Sequence, residues 1–236
     1  MHPLEIGELG RLLRDLEAAA PVASRRAAPQ AEQYLWLSSR VRRVDVRTDA
    51  AFQQRLARHV GLRGKLRADK QALFDLLHEL RDLQRPSFED VLERVSLLTG
   101  QVEKSVASSL LALLDADQPA IDRDVRELLP RYGVPMLAEA PSFDECVDWH
   151  RRLQALFAQV LASPRWPTVS ARLDAGLPAA DGAVLSETRK LNLHMTHARR
   201  VVALMPSLEV VRARPPAVAL RAERHAPPPV RLHLCR

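Results

Sequence analysis

Apolar residues recur at helical spacing through most of this chain, and the alternation of apolar and polar residues that is typical of strands is scarce. Only 8 of the 236 residues are glycine. One segment carries an apolar stripe at positions i, i+4, i+7 and i+8, formed by Val106, Leu110, Leu113 and Leu114. Small residues beside this stripe would let a second helix approach closely. We therefore predict an all-α fold with this helix in its core, and the chain is long enough to bury one core or two lobes that share a cleft.

The stretch from residue 98 to residue 125 joins this helix to its neighbours on both sides. A turn that contains Gly100 leads into the helix, and the residues up to Pro119 end it. Asp122 then stands where the next helix, predicted at residues 123–129, begins. A carboxylate at that position accepts hydrogen bonds from the free amides of the first turn. One interpretation of Asp122 is therefore a helix N-cap.

The same stretch resembles the core of the helix-hairpin-helix DNA glycosylase superfamily, the base-excision enzymes related to endonuclease III and the adenine glycosylase. Leu98 and Gly100 match the hairpin of that family. Lys104 falls at the position of its Schiff-base lysine, and Asp122 with Val125 matches its aspartate segment. The wider part of the chain, from Tyr34 to about Arg200, is more similar to uncharacterised bacterial relatives of the superfamily.

The resemblance implies a two-lobed helical bundle that binds double-stranded DNA and flips a damaged or mismatched base into the cleft between its lobes. Asp122 would stabilise the positive charge that grows on the sugar, or would activate water, while Lys104 would attack the anomeric carbon. Gly100 and Gln101 would face a DNA phosphate. For Lys104, the alternative is an exposed lysine in the first turn of a helix.

The hairpin departs from the family at two positions. Thr99 stands in place of its proline, and Val102 stands in place of its second glycine. Two other hypotheses about function therefore stay open. The first is a DNA-binding or scaffold protein that keeps the fold without the chemistry. The second is an all-α protein-interaction module whose basic residues meet an acidic protein.

The positive charge is concentrated between residues 40 and 67, which hold nine arginines and lysines and only two aspartates. A localised group of cations is typical of a protein that contacts the phosphate backbone of nucleic acid. We expect phosphate contacts from Arg40, Arg43, Arg63, Lys65 and Arg67. Arginine also far outnumbers lysine, of which the chain has only four, so genome composition is an alternative source of this charge.

Composition divides the chain into three segments. Residues 1–30 are predicted to form an N-terminal segment, with a helix at 4–19 and a linker of Ala, Pro and Arg at 20–30. This segment could be an independent arm or a partner-binding helix, although such a segment more often packs back on its own domain. Residues 31–205 are predicted to form the helix-hairpin-helix glycosylase-like domain. Residues 206–236 hold six of the 17 prolines among scattered arginines, and we expect this tail to be disordered. Within the domain, helices are predicted to begin at Thr48, at Ser87 with Asp90, and at Ser142 with Glu145.

The sequence carries no pattern that indicates a cofactor or a metal. Cys146 and Cys235 lie far apart, which argues against a disulfide framework, a Cys-ligated metal and an iron–sulfur cluster. His194 and His197 could share a metal, but no further ligand accompanies them, so we expect surface histidines. No apolar run approaches the length of a membrane span, and acidic residues occupy the N-terminal region where a signal peptide is apolar. We therefore expect a cytoplasmic protein without a membrane partner.

Overall fold

The computed structural model describes residues 4–61, 70–83, 85–177 and 184–204, and the regular secondary structure in these ranges is entirely helical. The helices are α1 (Ile6–Arg40), α2 (Ala50–His59), α3 (Lys70–Asp82), α4 (Phe88–Thr99), α5 (Lys104–Leu114), α6 (Arg123–Leu128), α7 (Phe143–Leu161), α8 (Trp166–Asp174) and α9 (Glu187–Val202). A short 3-10 helix, Leu129–Tyr132, follows α6. The predicted all-α class is confirmed. The predicted tail and the predicted contacts Arg63, Lys65 and Arg67 lie outside the described residues.

The longest helix corrects the predicted segmentation. α1 runs without interruption through residues 20–30, with Pro21 and Pro29 inside it, so the predicted linker is wrong. Alanine has the highest helix propensity, and α1 packs along α8 and α9 with alanines that are fully buried, namely Ala19, Ala20, Ala23 and Ala27. This burial outweighs the cost of about 3 kcal/mol for a proline inside a helix. Because Leu12 and Leu16 also belong to the core, residues 6–30 are not a separate arm.

The predicted core helix is confirmed. Its four stripe residues are buried, and α5 packs against α1, α3 and α4. Ser108 and Ala112, two of its small residues, are fully buried as well, which is consistent with close approach of a neighbouring helix. α4 and α5 are consecutive, and the turn between them is the candidate hairpin.

The predicted helix starts are confirmed in two cases and shifted in one. Ser87 with Asp90 and Ser142 with Glu145 form complete capping boxes at α4 and α7. The prediction that Thr48 caps α2 is wrong, because Asp49 is the N-cap and its carboxylate accepts from the Phe52 amide at 2.9 Å. A carboxylate accepts hydrogen bonds from the free amides of the first turn, and its negative charge interacts favourably with the positive end of the helix dipole.

α9 is largely enclosed, since it contacts α1, α6, α7 and α8. The prediction that His194 and His197 are surface residues is therefore wrong. The His194 side chain is fully buried, and its Nε2 donates to the Leu16 carbonyl oxygen at 2.7 Å. His197 is half-buried, with Nε2 2.9 Å from Gln30 Oε1.

Two further properties concern the same ranges of residues. Within the described part of the chain, no helix combines the length and the apolar character needed to cross a membrane. In that part, no three His, Cys, Asp or Glu side chains are grouped closely enough to hold a metal ion.

The contact between α1 and the end of α8 makes a prediction about Gly176. A Cβ atom at Gly176 would lie 2.2 Å from Ser24 Oγ and 2.6 Å from Ser24 Cβ. We expect Gly176→Ala to lower the free energy of unfolding by about 1–3 kcal/mol, because α8 and α1 must separate. Urea unfolding followed by circular dichroism measures this change.

A matched control is Gly10→Ala in α1. A Cβ atom at Gly10 meets only Arg14 Nη1, at an ordinary contact distance of 3.5 Å. This substitution should stabilise the protein by about 0.5–1 kcal/mol, because it removes backbone freedom from the unfolded chain. Equal unfolding midpoints for the two variants would contradict the close approach.

Candidate functional site

In the connection from α5 to α6, residues 115–122, the part formed by residues 119–121 is buried and is held by side chains of three helices. The Ile121 amide donates to Ser108 Oγ of α5 at 2.8 Å, and the Ala120 amide donates to Asn192 Oδ1 of α9 at 2.5 Å. His150 Nε2 of α7 donates to the Pro119 carbonyl oxygen at 3.2 Å. Buried backbone groups need such partners, so these contacts give the irregular segment one conformation. That conformation positions Asp122.

Asp122 is the N-cap of α6, as one interpretation of the sequence predicted. Its Oδ1 accepts from the Val125 amide at 2.7 Å, and its Oδ2 accepts from the Thr196 hydroxyl of α9. Burial raises the pKa of this carboxyl, while the two hydrogen bonds act in the opposite direction. Both oxygens have protein donors, so a sugar or a water that used Oδ2 would compete with Thr196. The catalytic role of Asp122 stays a prediction.

Lys104 is the first residue of α5. The alternative of an exposed lysine is wrong, because the residue is only 8% exposed and its Nζ donates to the Glu139 carbonyl oxygen at 2.7 Å. Burial, followed by the nearby charge of Arg126, lowers the pKa of the amine. The partner of Lys104 precedes α7, whereas those of Asp122 lie on α6 and α9. Among the described residues, the two side chains share no hydrogen-bond partner.

The hairpin between α4 and α5 is exposed at its tip. Gly100 ends α4 with φ +68°, in the left-handed region that glycine adopts most readily. The amide of the exposed Gln101 donates to Thr99 Oγ1 at 3.3 Å. Glu103, the N-cap of α5, makes no side-chain capping bond. The first amides of α5 therefore have no side-chain acceptor at their cap, and such amides are suited to an anion.

Four arginines at the end of α1, just after it and on α2 are exposed or half-buried, and we call them together the arginine surface: Arg40, Arg43, Arg55 and Arg58. Arg40 and Arg55 both lie against the half-exposed ring of Trp36, with Cζ atoms 4.5 and 4.1 Å from its centroid. No carboxylate oxygen of a described residue lies within 4.0 Å of any of the four guanidinium groups. The surface therefore carries positive charge that nearby side chains do not neutralise.

Other arginines of the same basic segment have structural partners. Arg42 donates to the carbonyl oxygens of Arg81 and Leu114, at 2.9 and 3.2 Å. Arg47 forms an ion pair with Asp45 at 3.0 Å. The predicted contacts Arg40 and Arg43 are thus exposed and available, whereas their neighbours Arg42 and Arg47 are already in use.

A buried polar group that the sequence analysis missed lies on α9. Arg189 is 3% exposed, and its Cζ is 4.2 Å from the centroid of the Tyr34 ring. Its Nε and Nη1 atoms have no hydrogen-bond partner among the residues that the structure describes. His59, at the end of α2, lies with its ring 6.3 Å from that of Tyr34, and burial and Arg189 lower its pKa to about 3. The only sequence signal was an arginine in the first turn of a helix, which is usually exposed.

A cleft of about 650 Å³ lies elsewhere, between the start of α1, the segment after the 3-10 helix, and α7. Its lining includes Glu5, Tyr132, Arg152 and Gln159, and contains neither Asp122 nor Lys104.

No family model, curated protein or solved structure matches this chain. The resemblance to the glycosylase superfamily therefore stays a prediction.

The contact of Ser108 with the connection makes a prediction about stability. We expect Ser108→Ala to lower the free energy of unfolding by about 1–3 kcal/mol, because the buried Ile121 amide loses its acceptor. Ser109→Ala on the same helix is the control, since no side-chain hydrogen bond of Ser109 occurs among the described residues. Equal losses measured by urea unfolding would refute the role of Ser108.

Two buried histidines make a prediction about pH. Burial lowers the pKa of His150 and of His194 to about 4, while a histidine in the unfolded chain titrates near 6.5. The unfolded chain then binds more protons than the folded protein between these values, so stability is complete above about pH 6.5 and falls as the pH is lowered toward 4. We expect a loss of about 2 kcal/mol for each histidine between pH 7 and pH 5.

Urea unfolding at a series of pH values measures this dependence. His150→Gln keeps a donor for the Pro119 carbonyl oxygen and does not titrate, so its stability should fall less steeply than that of the wild type. An unchanged slope would show that His150 does not contribute.

Proposed function

We propose that this protein binds duplex DNA through the arginine surface and the hairpin, on a two-lobed framework of the helix-hairpin-helix glycosylase type. The observation that carries the proposal is the pair Arg40 and Arg55, which lie on one aromatic ring without a carboxylate nearby. The two guanidinium groups repel each other because they carry the same charge. Contact with negatively charged phosphate oxygens would offset this repulsion.

Trp36 contributes to this arrangement in two ways. Its ring attracts both guanidinium groups, an interaction of about 0.5–1 kcal/mol at exposed sites. It also restricts their side-chain rotamers before binding, so less entropy is lost when a phosphate is contacted. A pair of exposed, positioned positive charges is sufficient for a sequence-independent contact with the DNA backbone, because the affinity for the backbone comes largely from the release of counterions.

α5 connects the two parts of the proposed interface. The hairpin precedes its first residue, and Arg42, beside the arginine surface, bonds to Leu114 at its end. The two ends of α5 are about 15 Å apart, because its last residue lies ten positions after its first and an α-helix rises about 1.5 Å per residue.

The contacts of the two predicted catalytic residues support binding more than base excision. Asp122 is hydrogen-bonded through both oxygens, and Lys104 bonds to the segment before α7. Lys104 does have the buried amine and the lowered pKa that a Schiff-base nucleophile requires. Base excision is therefore the second candidate, and it needs Asp122 and Lys104 to meet at one substrate.

The double variant Arg40→Gln/Arg55→Gln tests DNA binding. Fluorescence anisotropy of a labelled duplex, measured at several salt concentrations, should give a steep salt dependence for the wild type. Each lost phosphate contact lowers the slope of log affinity against log salt by about 0.9, so we expect a decrease of about 2 in the variant. The affinity at fixed low salt should fall on the order of tenfold or more.

The matched control is Arg165→Gln/Arg172→Gln. It removes the same charge, but both of these arginines face Glu17 on another part of the surface. Equal weakening by the two double variants would reduce the effect to net charge, and no binding by the wild type at low salt would favour the protein-interaction module. A borohydride-trapped adduct on a damaged duplex that is lost in Lys104→Ala would establish the second candidate.

A further inference from the structure

Arg189 carries a buried charge that the described residues leave without a direct partner. No carboxylate oxygen among them lies within 4.0 Å of its guanidinium, and Asp122 acts on it only from a longer range. Its contact with the Tyr34 ring supplies some attraction but no hydrogen-bond acceptor. Burial of an ionised group without such an acceptor is strongly unfavourable. A ligand with acceptor oxygens would remove this cost.

The surroundings of Arg189 lead from the arginine surface toward it. Arg55 and His59 are four residues apart and therefore lie on the same side of α2. Arg55 contacts Trp36 at the surface, and the half-buried His59 lies beside Tyr34, which contacts Arg189. Aromatic rings and guanidinium groups thus follow one another from the exposed part of α2 to the buried end of α9.

We propose that Arg189 binds the phosphate group of a phosphomonoester. A phosphate supplies both the negative charge and the acceptor oxygens that Nε and Nη1 lack. The Tyr34 ring fixes the plane of the guanidinium, which favours a planar, directed contact.

Three carboxyl groups act on this site, since the charge of Asp122 acts on Arg189 and the charges of Asp115 and Asp117 act on Tyr34. Both oxygens of Asp122 are bound by Val125 and Thr196, and burial favours the neutral form of this carboxyl by raising its pKa. Asp115 and Asp117 act on the Tyr34 hydroxyl, which itself donates to the Ala112 carbonyl oxygen at 2.9 Å. His59 is neutral at pH 7 and can donate one hydrogen bond.

Thermal unfolding of the full chain tests the site with three probes at equal ionic strength: inorganic phosphate, deoxyadenosine monophosphate and deoxyadenosine. We expect the two phosphates to raise Tm and deoxyadenosine to have no effect. A larger shift with the nucleotide would identify a nucleotide as the source of the phosphate, in agreement with the proposed function. Equal shifts would support a site for free phosphate.

Arg189→Met provides the decisive comparison. We expect its dissociation constant for phosphate to be about 10- to 100-fold higher than that of the wild type, because a charged hydrogen-bond donor is lost. Its Tm without phosphate should equal or exceed that of the wild type, because a buried charge has been removed. Arg189→Lys keeps the charge without the planar group, so it should weaken binding to a smaller extent and serves if the methionine variant does not fold.

The control Arg165→Gln/Arg172→Gln should retain the full response to phosphate. The absence of any shift in the wild type, or a shift that persists in Arg189→Met, would overturn the proposal. Because these measurements contain no DNA, their failure is distinct from failure of the proposed function, which the anisotropy experiment measures.

Discussion

Close packing of α1 along α8 and α9 is the constraint on which the rest of the structure depends. Buried alanines line α1, and Ser24 approaches Gly176 so closely that no side chain fits there. α1 is continuous over 35 residues although it contains two internal prolines. The same helix carries Leu12 and Leu16 in the core and Trp36 and Arg40 at its far end. The position of the arginine surface is therefore a consequence of packing that occurs about 30 Å away along α1.

Enclosure of α9 by four other helices places polar side chains in the interior, and most of them have defined partners. Asn192 and His194 bind backbone groups of the α5–α6 connection and of α1, and Lys190 pairs with Asp174 and Glu187. These contacts satisfy buried donors and fix how the helices are arranged. Arg189 differs from them, because two of its nitrogen atoms have no partner. Arg189 is therefore a candidate ligand site, whereas Asn192, His194 and Lys190 belong to a structural hydrogen-bond network.

The arginines of the basic segment divide into two groups by their partners. Arg42 binds the carbonyl oxygens of Arg81 and Leu114 at the ends of α3 and α5, where a positive charge interacts favourably with the negative end of the helix dipole. Arg40 and Arg55 rest on Trp36 with no carboxylate nearby. Among the described residues of the segment, Arg42 and Arg47 already have partners in the protein, whereas Arg40 and Arg55 can offer charge to a partner molecule. The proposed interface depends on this division.

The sequence by itself determined the features that depend on residues within one or two helical turns. These are the all-α class, the buried stripe of α5, the capping boxes at Ser87 and Ser142, and Asp122 as an N-cap, because spacing and capping are local. Tertiary structure alone decided the continuity of α1 and the burial of Lys104 and His194. His194 bonds to Leu16, 178 positions earlier in the chain. Local patterns predict no such contact, since burial of a polar side chain depends on which distant helix packs against it.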